Sequence, residues 1–229
     1  MLFGRLAWLP TNAKMKIGVF DSGVGGRSVA RAISRALPTA VVVTREDRQN
    51  LPYGTKTPEQ LLVLVEPILS GMVAEGCDLI VIACNTVSTT IIRELRVKFT
   101  VPLIAVEPMV KPAAGSSKVG IIAVCATPTT LASRRYNSLK RRFADGVEVL
   151  EPDCSDWATM IEANQIDHDL IAKRITEVLD KGADVIVLGC THYHWIESEI
   201  VALAKGRAKV LQPEPAIINQ VKRVLGQLT

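Results

Sequence analysis

The chain has 229 residues, 48% of them hydrophobic but only 4% aromatic, and a formal net charge of +4. That apolar fraction excludes a disordered polymer, its aliphatic bias suits a buried parallel sheet, and no apolar run approaches the roughly 20 residues that cross a bilayer. The densest basic cluster, Arg134, Arg135, Lys140, Arg141 and Arg142, reads as a solvated helix face, because a nucleic-acid surface wants a longer basic stripe interleaved with aromatics.

In chain order, residues 1–14 carry Trp8 and Pro10 but no periodicity, and Met15 looks like a natural beginning; an extension outside the fold is expected there. Strand signals at Lys16 to Phe20, Ala40 to Thr44, Asp78 to Ala83 and Val101 to Val106 alternate with helical stretches from about Ser28, Pro58 and Ser88. This is the βαβα rhythm of a parallel sheet. The segment Glu107 to Ser117 reads as an irregular crossover, stopped by Pro108, Pro112 and Gly115-Ser116-Ser117. A second series begins at Lys118, where Lys118-Val119-Gly120-Ile121-Ile122 echoes Lys16-Ile17-Gly18-Val19-Phe20. From Ile217 to Leu228 the apolar spacing predicts a closing amphipathic helix that returns to the first half. The expected organisation is therefore α/β, with two similar open parallel-sheet lobes and a cleft between them. The first lobe takes 15–108 plus about 210–229, and the second takes 109–209.

The echo is strongest at Gly76-Cys77-Asp78-Leu79-Ile80-Val81-Ile82-Ala83-Cys84-Asn85-Thr86 and Gly182-Ala183-Asp184-Val185-Ile186-Val187-Leu188-Gly189-Cys190-Thr191-His192. Each run delivers one cysteine to the carboxyl end of a buried strand, where open α/β sheets place their ligands. A following helix start offers free amides and a positive dipole end, both of which favour thiolate. Two such thiols suggest a pair facing one small molecule from opposite sides. Cys77, Cys125 and Cys154 read as core residues. Five cysteines without a C-x-x-C pair suit free thiols in a reducing cytoplasm.

Asp21-Ser22-Gly23-Val24-Gly25-Gly26 resembles a phosphate loop, but no Gly-Lys-Ser/Thr ends it, and Ser28 stands where a dinucleotide loop needs glycine. Two roles remain open for Asp21: contact with a substrate ammonium or a nearby thiol, with the small residues letting a ligand approach, and capping of the next helix. Cys190, His192 and His194 alternate in a way that is not a zinc spacing, so no metal is expected. His192 reads as a proton carrier or hydrogen-bond partner beside Cys190, and His194 as a structural or surface residue.

Taken in order, Ile17-Gly18-Val19-Phe20-Asp21-Ser22-Gly23-Val24-Gly25-Gly26, Pro52-Tyr53-Gly54-Thr55, Ala83-Cys84-Asn85-Thr86, Val106-Glu107-Pro108 and Gly189-Cys190-Thr191-His192-Tyr193 resemble the glutamate racemases of the cofactor-independent Asp/Glu racemase superfamily. The resemblance implies that glutamate is held between the lobes and inverted without pyridoxal phosphate or any other cofactor. It implies Cys84 and Cys190 as the catalytic acid/bases, with Asp21 assisting Cys84, and with His192, held by Glu162, assisting Cys190. Asp21, Ser22, Tyr53, Gly54, Asn85, Thr86, Thr191 and His192 would contact the substrate. It further implies D-glutamate supply for peptidoglycan and a cytoplasmic homodimer, with no nucleic-acid or membrane partner. Departures from the pattern fall at Arg27-Ser28, Arg48-Gln49-Asn50, His194 and Gln212-Pro213-Glu214-Pro215.

Overall fold

The computed structural model describes residues 14–228. Of the expected extension over residues 1–14, only Lys14 falls among them, and it is exposed. The first series runs β1 (Lys16–Asp21), α1 (Gly26–Ala36), β2 (Val41–Glu46), α2 (Pro58–Ala74), β3 (Leu79–Ile82), α3 (Asn85–Thr90), α4 (Ile92–Lys98) and β4 (Leu103–Ala105). The second runs α5 (Val110–Ser116), β5 (Ile121–Cys125), α6 (Pro128–Ala132), α7 (Arg134–Phe143), β6 (Glu148–Leu150), α8 (Trp157–Glu162), α9 (His168–Asp180), β7 (Val185–Leu188), α10 (Glu197–Ala204) and β8 (Lys209–Leu211). Helix α11 (Glu214–Leu228) closes the described chain. None of these helices is long and apolar enough to cross a membrane.

The strands form two four-stranded parallel sheets, ordered β2-β1-β3-β4 and β6-β5-β7-β8. In each, the order reverses between the two central strands, which makes a switch point at their carboxyl ends. The period of two is legible in β1. Ile17 and Val19 pack with Leu79, Val81, Val29 and Ile33, while Phe20 packs on the other face with Ile80, Ile82 and the α2 residues Leu61, Val65 and Leu69. Gly18 shares that second face because a Cβ there would lie 2.5 Å from Met72 Cε. Ile217 and Val221 of α11 join the core of β1, β3 and β4, whereas Val110 and Ala113 of α5 pack with Ile122, Val124 and Val187. Cys77, Cys125 and Cys154 are buried among these cores.

The repeated Gly-x-Asp has a mechanical reason. Gly76 and Gly182 adopt φ of 82° and 91°, the left-handed turn that ends α2 and α9. Each aspartate then fastens the partner strand's start: Asp78 accepts from Lys16 N at 2.7 Å, and Asp184 accepts from Ser117 Oγ and Lys118 N, both at 2.6 Å. The helix expected from Pro58 starts with a capping box, Gln60 N donating to Thr57 Oγ1 at 3.3 Å and Thr57 N to Gln60 Oε1 at 2.9 Å.

The crossover differs from expectation. Glu107 to Ser117 is not irregular throughout, because α5 forms inside it. Pro112 is the third residue of that helix, where a backbone N–H has no intrahelical acceptor and its loss costs nothing. The basic residues of α7 do form a largely solvated face, with Arg134, Arg141 and Arg142 exposed and Arg135 and Lys140 paired to Glu107 and Glu151.

Candidate active site

Four central strand ends converge on one cavity of about 590 Å³. From β1 comes Ser22, from β3 Cys84, from β5 Thr127 and from β7 Cys190, and all four line it. Its volume suits a small polar metabolite. Tyr53, Gly54, Asn85, Thr86, Thr191 and His192, each expected in contact with substrate, also line it. Asp21 does not lie in this wall; it is buried directly behind.

Cys84 caps α3 and is buried. Its Sγ lies 3.5 Å from Ser22 Oγ. Burial pushes the thiol up to about 11, with the Asp21 carboxylate adding to the rise, and the Ser22 hydroxyl and the amides of Val87 and Thr86 oppose it. The helix-start stabilisation legible in the sequence is thus present but outweighed. Cys190 precedes a 3-10 turn, Thr191–Ile196, and its Sγ lies 3.7 Å from His192 Nδ1. Burial also raises this thiol, and Asp21 and Cys84 push it further.

Asp21 joins the two sides. Its carboxylate accepts from Ser22 N and from Thr191 Oγ1, both at 2.8 Å, and from the Gly26 amide at the start of α1. Burial lifts its carboxyl above the ordinary range despite these donors and the nearby His192. The glycines after it do not open the loop to a ligand, as the sequence suggested. A Cβ on Gly23 would lie 2.7 Å from His192 Nε2 and from Glu162 Oε2, and one on Gly25 would lie 2.5 Å from Thr191 Oγ1. The small residues let the β1–α1 loop seat against the turn that carries Thr191 and His192.

Glu162, at the end of α8, accepts a bond of 2.9 Å at Oε2 from His192 Nε2, and Val24 N donates to the same oxygen at 3.2 Å. Its Oε1 pairs with Arg48 Nε. Burial would raise the Glu162 carboxyl, but the Val24 amide, His192 and Arg48 together hold it below the usual carboxylate value.

Asn85 is buried, and neither its Nδ2 nor its Oδ1 has a partner among the described residues. Such an orphaned amide lining a cavity is a donor and acceptor held ready for a ligand. Thr86 Oγ1 meets Thr127 Oγ1 at 3.2 Å across the two halves. Tyr53 presents its ring, because its hydroxyl donates to Asp47 Oδ2 at 2.6 Å. Gly54 O accepts from Thr129 Oγ1. Behind Cys190, Tyr193 packs edge-on against Trp157 at 5.2 Å and donates to Cys154 O at 3.0 Å.

The sequence reading missed Thr127 and Arg48 as cavity residues. Thr127 had a signal, since it follows β5 as Gly23 follows β1 and combines an N-cap threonine with Pro128. His194 turns away from Cys190 toward Ser28 Oγ at 3.2 Å and Glu214 Oε1 at 3.1 Å. Three of the departures from the racemase pattern therefore meet in one half-buried polar cluster. It pins the 3-10 turn to α1 and α11.

The profile of the Asp/Glu/Hydantoin racemase family matches residues 23–221. The chain belongs to this family. Among its relatives, the glutamate racemase of Roseiflexus sp. strain RS-1 is 36% identical over 214 residues, covering 91% of this chain and 79% of that protein. The glutamate racemase of Pseudomonas aeruginosa is 36% identical over 214 residues, covering 91% and 81%. Among solved structures, Escherichia coli glutamate racemase with L-glutamate and the activator UDP-MurNAc-ala superposes with a TM-score of 0.83 at 28% identity, over 93% of this chain and 83% of that one. The Thermus thermophilus glutamate racemase, in complex with beta-chloro-D-alanine, gives 0.76 at 29% identity, over 93% and 81%.

Proposed function

We propose that this protein is a glutamate racemase that interconverts L- and D-glutamate without a cofactor, with Cys84 and Cys190 exchanging the α-proton on opposite faces of the substrate. The observation that carries the reading is that both thiols line one cavity from the two matched strand ends, each with its own polar partner, Ser22 and His192. The family and the named relatives support the substrate.

Inversion needs two groups in opposite states. One sulfur, as thiolate, takes the α-proton, and the C–H electron pair moves into a planar enediolate; the other, as thiol, returns a proton to the opposite face. The roles exchange with direction. Burial and Asp21 hold both thiols protonated when the site is empty. A bound substrate ammonium supplies the positive charge that lets one of them ionise. The Asn85 amide, unpartnered among the described residues, is the side-chain donor available to stabilise charge on the enediolate oxygens, a contribution of about 3–4 kcal/mol for a well-aimed donor, while Thr86 and Thr191, whose hydroxyls are bonded to Thr127 and Asp21, line the same wall. Asp21, behind Ser22 and Thr191, orients the Thr191 hydroxyl and the loop after β1.

We also infer that the protein feeds D-glutamate to peptidoglycan synthesis as a cytoplasmic homodimer; light scattering of the purified protein tests the dimer. The substrate is tested by following solvent deuterium into the α-position of L-glutamate and L-aspartate. Incorporation into glutamate, unaffected by chelators or by hydroxylamine, is the expected result. Incorporation into aspartate alone overturns the substrate, and loss with either reagent overturns the cofactor-free chemistry.

A further inference from the structure

The two thiols are served unequally. Cys84 has the Ser22 hydroxyl beside it, while Cys190 has His192, then Glu162, and then Arg48. Arg48 lies in a 3-10 turn between β2 and α2, and Glu162 lies 114 residues later at the end of α8. The ion pair between them crosses the cavity wall, where Arg48 is the sole lysine or arginine among the described residues. Each Glu162 oxygen is committed: Oε1 to Arg48, Oε2 to His192 and Val24 N. A carboxylate held at both oxygens cannot rotate, so His192 Nε2 has a fixed partner and Nδ1 faces Cys190. Without Arg48, Oε1 is released and the carboxylate can turn about its terminal bond.

We propose that Arg48 is a positioning residue for the Cys190 half of the reaction, clamping Glu162 so that His192 stays aimed at the Cys190 sulfur. The relay is complete only when the turn bearing Arg48 and the helix bearing Glu162 stand together across the cavity. Cys84 has no such dependence. The groups facing the His192–Cys190 contact are Glu162 from α8, Asp21 at the end of β1, Cys84 across the cavity, Tyr193 on the same turn and Cys154 from the loop before α8, with Arg27 of α1 adding a weaker field at Glu162.

The inference rests on the racemase reading, and its test exploits a constraint of that reaction. Because product and substrate are mirror images with an equilibrium constant of unity, no variant can change kcat/KM more in one direction than in the other. The primary isotope effect from α-deuterated substrate is not so constrained. If Arg48→Gln slows only proton transfer at Cys190, kcat/KM falls by roughly 10- to 100-fold in both directions. The isotope effect then rises in the direction where Cys190 removes the deuteron and shrinks in the opposite one, relative to wild type. Ser22→Ala should move the two effects the other way, and Arg48→Lys, which keeps the charge but loses the planar fork, should recover only part of the rate.

A second readout needs no turnover: the pH dependence of Cys190 alkylation, followed by mass spectrometry, should shift in Arg48→Gln while that of Cys84 stays put. Isotope effects that change alike in both directions, a rise in KM with kcat intact, or an unmoved Cys190 alkylation profile overturn the inference. If wild type fails to turn over glutamate, the substrate reading falls instead, and alkylation alone decides the role of Arg48.

Discussion

Replacing Asn85 by leucine should make the ligand-free protein more stable and the enzyme nearly inert. The Asn85 side chain is buried at the start of α3 with both Nδ2 and Oδ1 unpartnered among the described residues. An orphaned buried polar group costs about 1–3 kcal/mol, and leucine has the same branching and heavy-atom count with bulkier methyl groups, a misfit the adjoining cavity can absorb at a cost of about 1 kcal/mol. The expected net gain is about 0–2 kcal/mol, or up to roughly 8 °C in Tm for a chain of this size. The same change removes a donor from the cavity wall, so kcat/KM should fall by roughly 10²- to 10³-fold. Urea unfolding with and without glutamate reads both effects. Wild type should gain stability from the ligand, and Asn85→Leu should start higher and gain little. A ligand-free variant less stable than wild type would refute the reasoning, because the amide would then be satisfied in the folded protein.

Four further expectations concern protons, close packing and the partners of one imidazole. Because the Cys84 thiol is pushed up to about 11, kcat/KM of the free enzyme should climb with pH above neutrality instead of levelling near 8. Folding stability should run the opposite way: a thiol raised in the folded state contributes below its unfolded value of about 8.5 and loses that contribution as pH rises through about 11, so the urea midpoint should fall there in wild type and fall less in Cys84→Ser. Gly25→Ala would set a Cβ 2.6 Å from the Thr191 carbonyl carbon, so it should cost about 1–3 kcal/mol along with activity; Gly71→Ala in α2, with nothing within 4 Å, should be neutral or mildly stabilising by thermal melting. Glu214→Ala, which leaves the half-buried His194 with only Ser28, should lower the urea-derived stability by about 1–2 kcal/mol.

The two sheets were legible in the sequence because their central strands are covered on both faces and therefore read as unbroken aliphatic runs, ending where Cys84 and Cys190 sit. Local chemistry wrote those signals. What stayed hidden depends on partners distant in the chain. The glycines after Asp21 look like a phosphate loop because small residues alone do not say what approaches them; here it is Thr191, His192 and Glu162. Arg48 was visible only as an odd residue beside the Pro-Tyr-Gly segment, since its partner lies 114 positions away. Helix α5 was missed because Pro112 was read as a breaker, although its position in the first helical turn makes it harmless. Likewise Ser28, His194 and Glu214 were three unrelated departures until the fold placed them around one imidazole.

The two-thiol mechanism is tested most directly by circular dichroism of glutamate solutions treated with Cys84→Ser and, separately, with Cys190→Ser, each first shown to retain the wild-type unfolding transition. A serine hydroxyl is far too weak an acid to replace a thiol as a proton carrier, so racemisation should all but vanish in both variants. Full turnover by either one would contradict a reaction carried by two sulfurs.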